Sequence, residues 1–309
     1  MTAPGLARST TPVVAGGGPM AVVRSFLAAA RIGWAVDANW TDPVLFLVYL
    51  VAKPVSAALI LVVMVQVVSG GRAGALTSFV VVGSALWSTV TAGISGLSWS
   101  VLDDRERYRM LKYLYVSPSD FLLLLMGRGV GRIAVGGLGA VVTLVVGVVA
   151  LGVEFDPGRV DWPLLLVALP MGLVAIVALA LILAAVCLQT RQDAWSYPEA
   201  AAGALFLVTG AVFPLAVLPS PLQAIGLLTP LTWWVAGMRA AMFPDSPSSL
   251  GGDGSLFARL AGHAVPGSIE IVVALLATGA VSTLAALAVF RLSERRAKDR
   301  GLFDQTTGS

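Results

Sequence analysis

Charge is scarce in this chain of 309 residues, with twenty Lys and Arg and seventeen Asp and Glu, or 12% of the whole. Soluble domains carry roughly 25%. Cysteine and histidine are scarcer still, one of each, Cys187 and His263. A disulfide framework is therefore impossible within the chain, and a zinc site of three or four Cys and His ligands is excluded in practice. No Gly-Lys pair occurs anywhere, so the chain cannot supply the phosphate-cradling lysine of a P-loop. Convergent catalytic groups are missing as well. Asp103 and Asp104 run straight into Arg105, and no His or Cys partner is available. Continuous apolar sequence interrupted by few ionisable groups also leaves no Asp, Glu or His chain for a proton relay.

What fills the sequence instead is apolar: 57% hydrophobic residues and a mean hydropathy of +0.88. About 20 residues of helix cross a hydrocarbon core of ~30 Å. Helices are the open-chain way to satisfy a backbone in lipid. The apolar runs predict an all-α membrane protein with six transmembrane helices, over about 44–68, 76–101, 129–152, 163–188, 199–218 and 269–291. Residues 1–19, rich in Pro, Gly and Thr and without a continuous signal-peptide core, read as a disordered tail. Residues 20–41 read as an amphipathic interfacial helix, with Val23, Phe26, Leu27, Ala30 and Trp34 on one face. A plain polar lead-in is the alternative. The transmembrane domain then runs over 42–291, and 292–309 form a basic tail.

Lys and Arg set the orientation. With both termini in the cytoplasm, fifteen basic residues fall inside and only Arg72, Arg159, Arg239 and Arg259 outside. Lys53 is then the one formal charge well within a span, in snorkelling reach of the inner headgroups. The Gly127-Arg128-Gly129-Val130-Gly131 run lacks the spacing of a phosphate loop and reads as a flexible start to span three.

Three stretches carry functional information. DDRERYRMLKYLYVSPSD, residues 103–120, packs eight charges between spans two and three. Met110, Leu111, Leu114 and Tyr115 recur at helical spacing, and Ser117, Pro118 and Asp120 fit the N-cap, first and third positions of a new helix. A capped, mixed-charge element suits docking against a protein; a topogenic positive loop fits equally. In span two, Ser84, Ser88, Thr91, Ser95 and Ser98 share one helix face, which serves either close helix packing or a substrate path. After span five, Pro214, Pro219, Pro221 and Pro230 break an apolar segment bearing Phe213, Trp233 and Trp234. Its short helices would re-enter or lie in the interface, as an outer gate or as an external aromatic belt.

Taken together, the charged stretch, the TDPVLFLVYLVAKPVSAALILVVM lead-in over 41–64 and the broken segment over 210–240 resemble the permease subunit of type-2 ABC exporters, across roughly 20–295. That resemblance implies a cytoplasmic coupling helix that enters a cleft of a separate ATP-binding subunit, through Arg105, Glu106, Arg107, Leu111, Leu114, Ser117, Pro118 and Asp120. Where the family often has Gly-Thr after the charged run, Tyr108 and Arg109 stand here. It further implies a multi-pass plasma-membrane protein, paired as a homodimer or with a similar permease. ATP and Mg would be bound by the partner, no cofactor by this chain, and no nucleic acid is expected. Phe213, Pro214, Pro219, Trp233 and Trp234 would line the outer gate, and a drug, lipid or glycolipid would be exported. The competing readings are a membrane enzyme acting on lipid-linked substrates and a non-transporting membrane scaffold.

Overall fold

A computed structural model describes residues 19–38, 43–70, 74–116, 120–190 and 196–301. The described residues form helices α1 (Pro19–Ala38), α2 (Pro43–Val68), α3 (Gly74–Leu102), α4 (Leu111–Val116), α5 (Phe121–Ala150), α6 (Trp162–Gln189), α7 (Ser196–Val208), α8 (Ser220–Leu228), α9 (Pro230–Met242), α10 (Leu256–Ala261) and α11 (Ser268–Asp299). A π-helical turn over Asp103–Arg107 continues α3, and short 3-10 turns cover Pro157–Arg159 and Leu215–Val217. No strand occurs among the described residues.

Local chemistry sets the helix starts. Asp120 caps α5 by accepting the Leu123 N–H, Asp161 caps α6 through Leu164, and Ser255 caps α10 through Ala258. Asp120 is thus the N-cap itself, not the third residue of a helix begun at Ser117. A carboxylate on one methylene reaches the amide three residues ahead more readily than it reaches back. Ser117 and Pro118 lie outside the described residues.

Among the described residues, five helices are long and apolar enough to cross a membrane: the rods over Val44–Val68, Leu76–Arg107, Phe121–Ala150, Trp162–Gln189 and Ser268–Asp299. Six were expected. The run expected over 199–218 is helical only as α7, whose 13 residues extend ~20 Å at ~1.5 Å each, short of a ~30 Å core. It stops because the chain turns at Gly210, whose φ of 70° is left-handed. Hydropathy averages over such a turn without registering it. The third rod begins at Phe121, eight residues before its expected start, and the last runs on to Asp299.

The α3 helix is central, with 83% of its most apolar window buried, against 12% for α2 and 17% for α11. It packs on α2, α5, α6 and α7. Small residues permit that crowding, as expected where lipid supplies no hydrophobic drive between helices. The glycines of the 127–131 run are helical and form a packing face rather than a flexible hinge. A Cβ on Gly127 would lie 2.7 Å from that of Ala29, and one on Gly131 2.8 Å from the Trp34 nitrogen, so α1 lies directly against α5. On α1 that contact buries Ala29 and half-buries Phe26 and Ala30, while Val23, Leu27 and Trp34 stay exposed.

A sharper case is Gly172 of α6, where a Cβ would fall 1.9 Å from Cδ1 of Trp234. Gly172→Ala should destabilise the protein by about 1–3 kcal/mol through overpacking. Gly137→Ala, with nothing within 4 Å of its Cβ position, should be neutral or stabilising by up to ~1 kcal/mol. Thermal unfolding in detergent distinguishes these outcomes, and equal midpoints for the two variants would contradict the packing.

Candidate functional site

Charge gathers at the end of α3 that meets the start of α5. The α3 helix does not stop at its last apolar residue, Leu102, but widens into the π turn Asp103–Arg107, a form frequent at functional sites. This widening turns successive charged side chains toward different neighbours. Asp103 pairs with Arg132 of α5 at 3.2 Å, and Asp104 with Arg128 of α5 at 2.8 Å. The second pair is enclosed, with Asp104 0% and Arg128 4% exposed. It is a contact of charge alone, since neither Asp104 oxygen has a hydrogen bond of good geometry. Gly96 makes room for the Arg132 stem, whose Cβ would lie 2.7 Å from any Cβ there.

Arg105 turns the other way. Its Nη1 donates to the carbonyl oxygens of Cys187 and Thr190 at 3.1 and 3.0 Å, and its Nε to Glu106 at 2.6 Å. Those carbonyls lie at the C-terminal end of α6, where the last turn leaves acceptors without partners and a partial negative charge. The charged turn is therefore fastened to α5 by two ion pairs and to α6 by one guanidinium.

Beyond this anchorage the chain reverses. Arg109 has φ 51°, the one non-glycine residue among those described with positive φ. A left-handed residue after a helix is a common way to end it and is usually Gly. Among the described side chains, the exposed side of the elbow includes Arg107, Tyr108, Arg109 and Tyr113, with the Arg107 guanidinium 5.6 Å from the Tyr108 ring centre. Leu111 is 2% exposed and Leu114 half-buried, both packed on a cluster that includes Leu97, Val101, Phe121 and Leu125. Of the expected docking residues, Arg105 and Leu111 thus spend their side chains inside the fold, Glu106 pairs with Arg105, and Arg107 and Asp120 face outward.

The hydroxyl stripe faces protein. Ser88 donates to the Gly136 carbonyl of α5 at 3.1 Å as well as to its own helix. Ser84 bonds to Val81 O and Ser98 to Ile94 O, Ser95 is buried, and Thr91 is half-buried.

At the opposite end the broken segment closes on Arg239, which is 1% exposed. The α9 helix runs antiparallel along the first half of α6. The Asp161 amide donates to Ala241 O at 2.9 Å, Gly237 lies against Ala168, and Trp234 covers Gly172. Trp234 thus sits about ten residues, or ~15 Å, along α6 from its start. From α9, Arg239 donates to Gly210 O, Ala211 O and Phe79 O at 3.2, 3.0 and 3.0 Å, with its guanidinium 3.7 Å from the Phe79 ring centre. Two of those acceptors belong to the turn that ends α7. Gly83 admits the arrangement, since a Cβ there would meet Ala211 O at 1.7 Å. Trp233 is buried, donates to Leu227 O at 2.8 Å and meets Phe257 edge-on. Trp234 is buried too, Phe213 and Pro214 are half-buried, and Pro219 is exposed.

Lys53 is therefore not the only charge within the helical body; Asp104, Arg128 and Arg239 are buried, and Lys53 itself is exposed. Outside the body, Arg159 forks onto Asp245, tying the lead-in of α6 to the end of α9. That hydrogen bond holds the Asp245 carboxyl below its usual range and raises Arg159.

A family model described as ABC-2 type transporter matches residues 35–243, well over half of the chain. The chain belongs to the ABC-2 type transporter family. It is a membrane protein and the transmembrane subunit of an ABC transporter, in a family of transporter permeases. No curated protein matches it. The match takes in both the α3–α5 elbow and the α7–α9 segment.

The enclosed pair gives the permease a testable joint. Asp104→Leu or Arg128→Leu alone leaves an uncompensated buried charge and should cost about 3–5 kcal/mol, whereas the double substitution should recover most of that loss. Unfolding midpoints of the four proteins form the cycle. Additive losses in the double variant would show that the two charges do not interact.

Proposed function

We propose that this permease subunit moves a hydrophobic or amphiphilic substrate (a drug, lipid or glycolipid) out of the cytoplasm or inner leaflet, driven by a separate ATP-binding subunit. The observation that carries the reading is the fastening of the charged elbow to both α5 and α6. A push on an element anchored this way moves two long helices together, whereas a slack loop would absorb it.

In this reading the elbow lies on the cytoplasmic side with both termini, as the Lys and Arg distribution favours. Its outward residues Arg107, Tyr108, Arg109 and Tyr113 meet the ATP-binding subunit, with Ser117, Pro118 and Asp120 flanking them. Arg105, Glu106, Leu111 and Leu114 hold the elbow in shape. ATP and Mg are bound by the partner, whose closure supplies the stroke. The α1 helix lies in the inner interface, its apolar exposed side toward lipid. The α7 helix and the α8–α9 hairpin together make the sixth crossing, as a re-entrant unit near the outer leaflet of the plasma membrane. Irregular backbone at that depth needs protein partners, and the Arg239 cluster provides them. Phe213, Pro214, Pro219, Trp233 and Trp234 then border the exit. Two copies, or this chain and a similar permease, enclose the path; the Ser84–Ser98 stripe favours helix packing, through the Ser88 bond to α5.

The experiment is co-purification of the full chain with an ATP-binding subunit, followed by ATP-driven movement of a fluorescent lipid in proteoliposomes. Arg107→Glu combined with Tyr113→Ala should lower transport-coupled ATP hydrolysis by about tenfold or more, as expected when interface anchors are removed. The Tm should stay within ~0.5 kcal/mol equivalent of the parent, as for surface changes. A complex that survives these changes with full coupling would overturn the docking face. Failure of the intact pair to move any amphiphile would overturn the transport reading.

A further inference from the structure

A recess of about 360 Å³ lies between the first turn of α5 and the last turns of α11, lined by Asp120, Phe121, Leu122, Arg291, Glu294 and Arg295. It sits where both helices leave their apolar sequence, since the FLLLL run of α5 begins at Phe121 and the apolar run of α11 ends at Leu292. That boundary is headgroup depth for any helix spanning the bilayer. Phe121 forms part of the lining and stacks on Phe290 at 6.1 Å. On α11, Leu284 is exposed two turns before Arg291, on the same helix face.

The charges lining the recess are two of each sign, and they act on one another across space without closing into direct ion pairs. Glu294 feels Asp120 across the space and Arg291, Arg295 and Lys298 on its own helix. Yet among the described residues no ion pair joins Asp120 or Glu294 to Arg291 or Arg295. Spacings of three and four residues on a helix bring such side chains within easy reach of one another. Elsewhere in the same chain, Asp103, Asp104 and Asp245 all have their arginines.

A purely anionic ligand would face two carboxylates here, and a purely cationic one two guanidiniums. A group carrying both charges meets neither penalty. Arg291 and Arg295, one turn apart, suit the oxygens of a phosphate. Asp120 and Glu294 are acceptors, suited to an ammonium with N–H donors, which a quaternary amine lacks. Choline is favoured by open aromatic faces, and the Phe121 ring is already stacked on Phe290. We propose that this recess binds the headgroup of a membrane phospholipid carrying a phosphate and a primary ammonium, the phosphoethanolamine class. Its acyl chains would lie along the exposed Leu284 side of α11.

The proposal does not rest on transport, and its test needs no ATP-binding subunit. The purified full chain in detergent is titrated with phosphatidylethanolamine, phosphatidylcholine or phosphatidylglycerol, and bound lipid is read by native mass spectrometry and by thermal shift. Soluble glycerophosphoethanolamine serves as a headgroup-only arm. Phosphatidylethanolamine should bind about tenfold or more tightly than the other two lipids, with the soluble headgroup weaker still. Arg291→Gln with Arg295→Gln, and separately Glu294→Gln, should each reduce that preference to about twofold or less. Variants with parental melting temperatures but no lost preference would overturn the assignment. So would equal binding of all three lipids, or tightest binding of phosphatidylglycerol. Glycerophosphoethanolamine binding as tightly as the lipid would reassign the recess to a soluble phosphoamine.

Discussion

A chain this apolar must give a partner to every charge it encloses, and at one end of the bundle it does so with a few residues in succession. Asp103 and Asp104 face α5, Arg105 faces α6, and the π turn lets consecutive side chains diverge so widely. A buried ion pair is seldom a net gain over well-packed apolar residues, because desolvation offsets the attraction. What it supplies is a single register: α3, α5 and α6 can meet in one way that leaves no charge alone. The elbow that follows, through Arg109 and α4, inherits that register. Its outward face is fixed because its inward face is spoken for.

The other end of the bundle repeats the device with different parts. Arg239 gathers the carbonyls of Gly210 and Ala211 at the break after α7, as Arg105 gathers those of Cys187 and Thr190 at the end of α6. In each case a helix C-terminus, with its unpaired acceptors, ends where protein rather than water surrounds it. A guanidinium suits the task because its several donors lie in one plane and can serve more than one carbonyl. Glycine opposite the contact, Gly83 for Arg239 and Gly96 for Arg132, leaves the space such side chains need. Charge pairing and close helix packing are therefore one problem here, solved at the same residues.

Much of the architecture was legible from apolar runs and punctuation. The α2, α3 and α6 rods match their expected spans closely, since long uninterrupted hydropathy has one structural solution in lipid. The break after Gly210 was visible in the prolines, but its position was not, because a left-handed glycine inside an apolar run leaves hydropathy unchanged. The third span was set to start late, at 129 within a helix that begins at Phe121, since Arg128 and Arg132 look like loop charges until Asp104 and Asp103 are seen beside them. The same cause hid the inward roles of Arg105 and Leu111, and Arg239 was counted as an outer loop charge. Spacing along one helix tells which residues share a face, and only the meeting of helices decides which of them are buried. An arginine between a Trp pair and an Ala pair, as in WWVAGMRAA, was the signal that could have revealed Arg239.

The central claim is that the charged elbow is held rigidly to α6 by Arg105. Spin labels at Tyr113→Cys and Val186→Cys, in a Cys187→Ala background, report that distance directly by pulsed electron paramagnetic resonance in nanodiscs. The account predicts one narrow distance distribution, broadened clearly when Arg105→Gln removes the two carbonyl contacts. A distribution equally narrow with and without that guanidinium would contradict it.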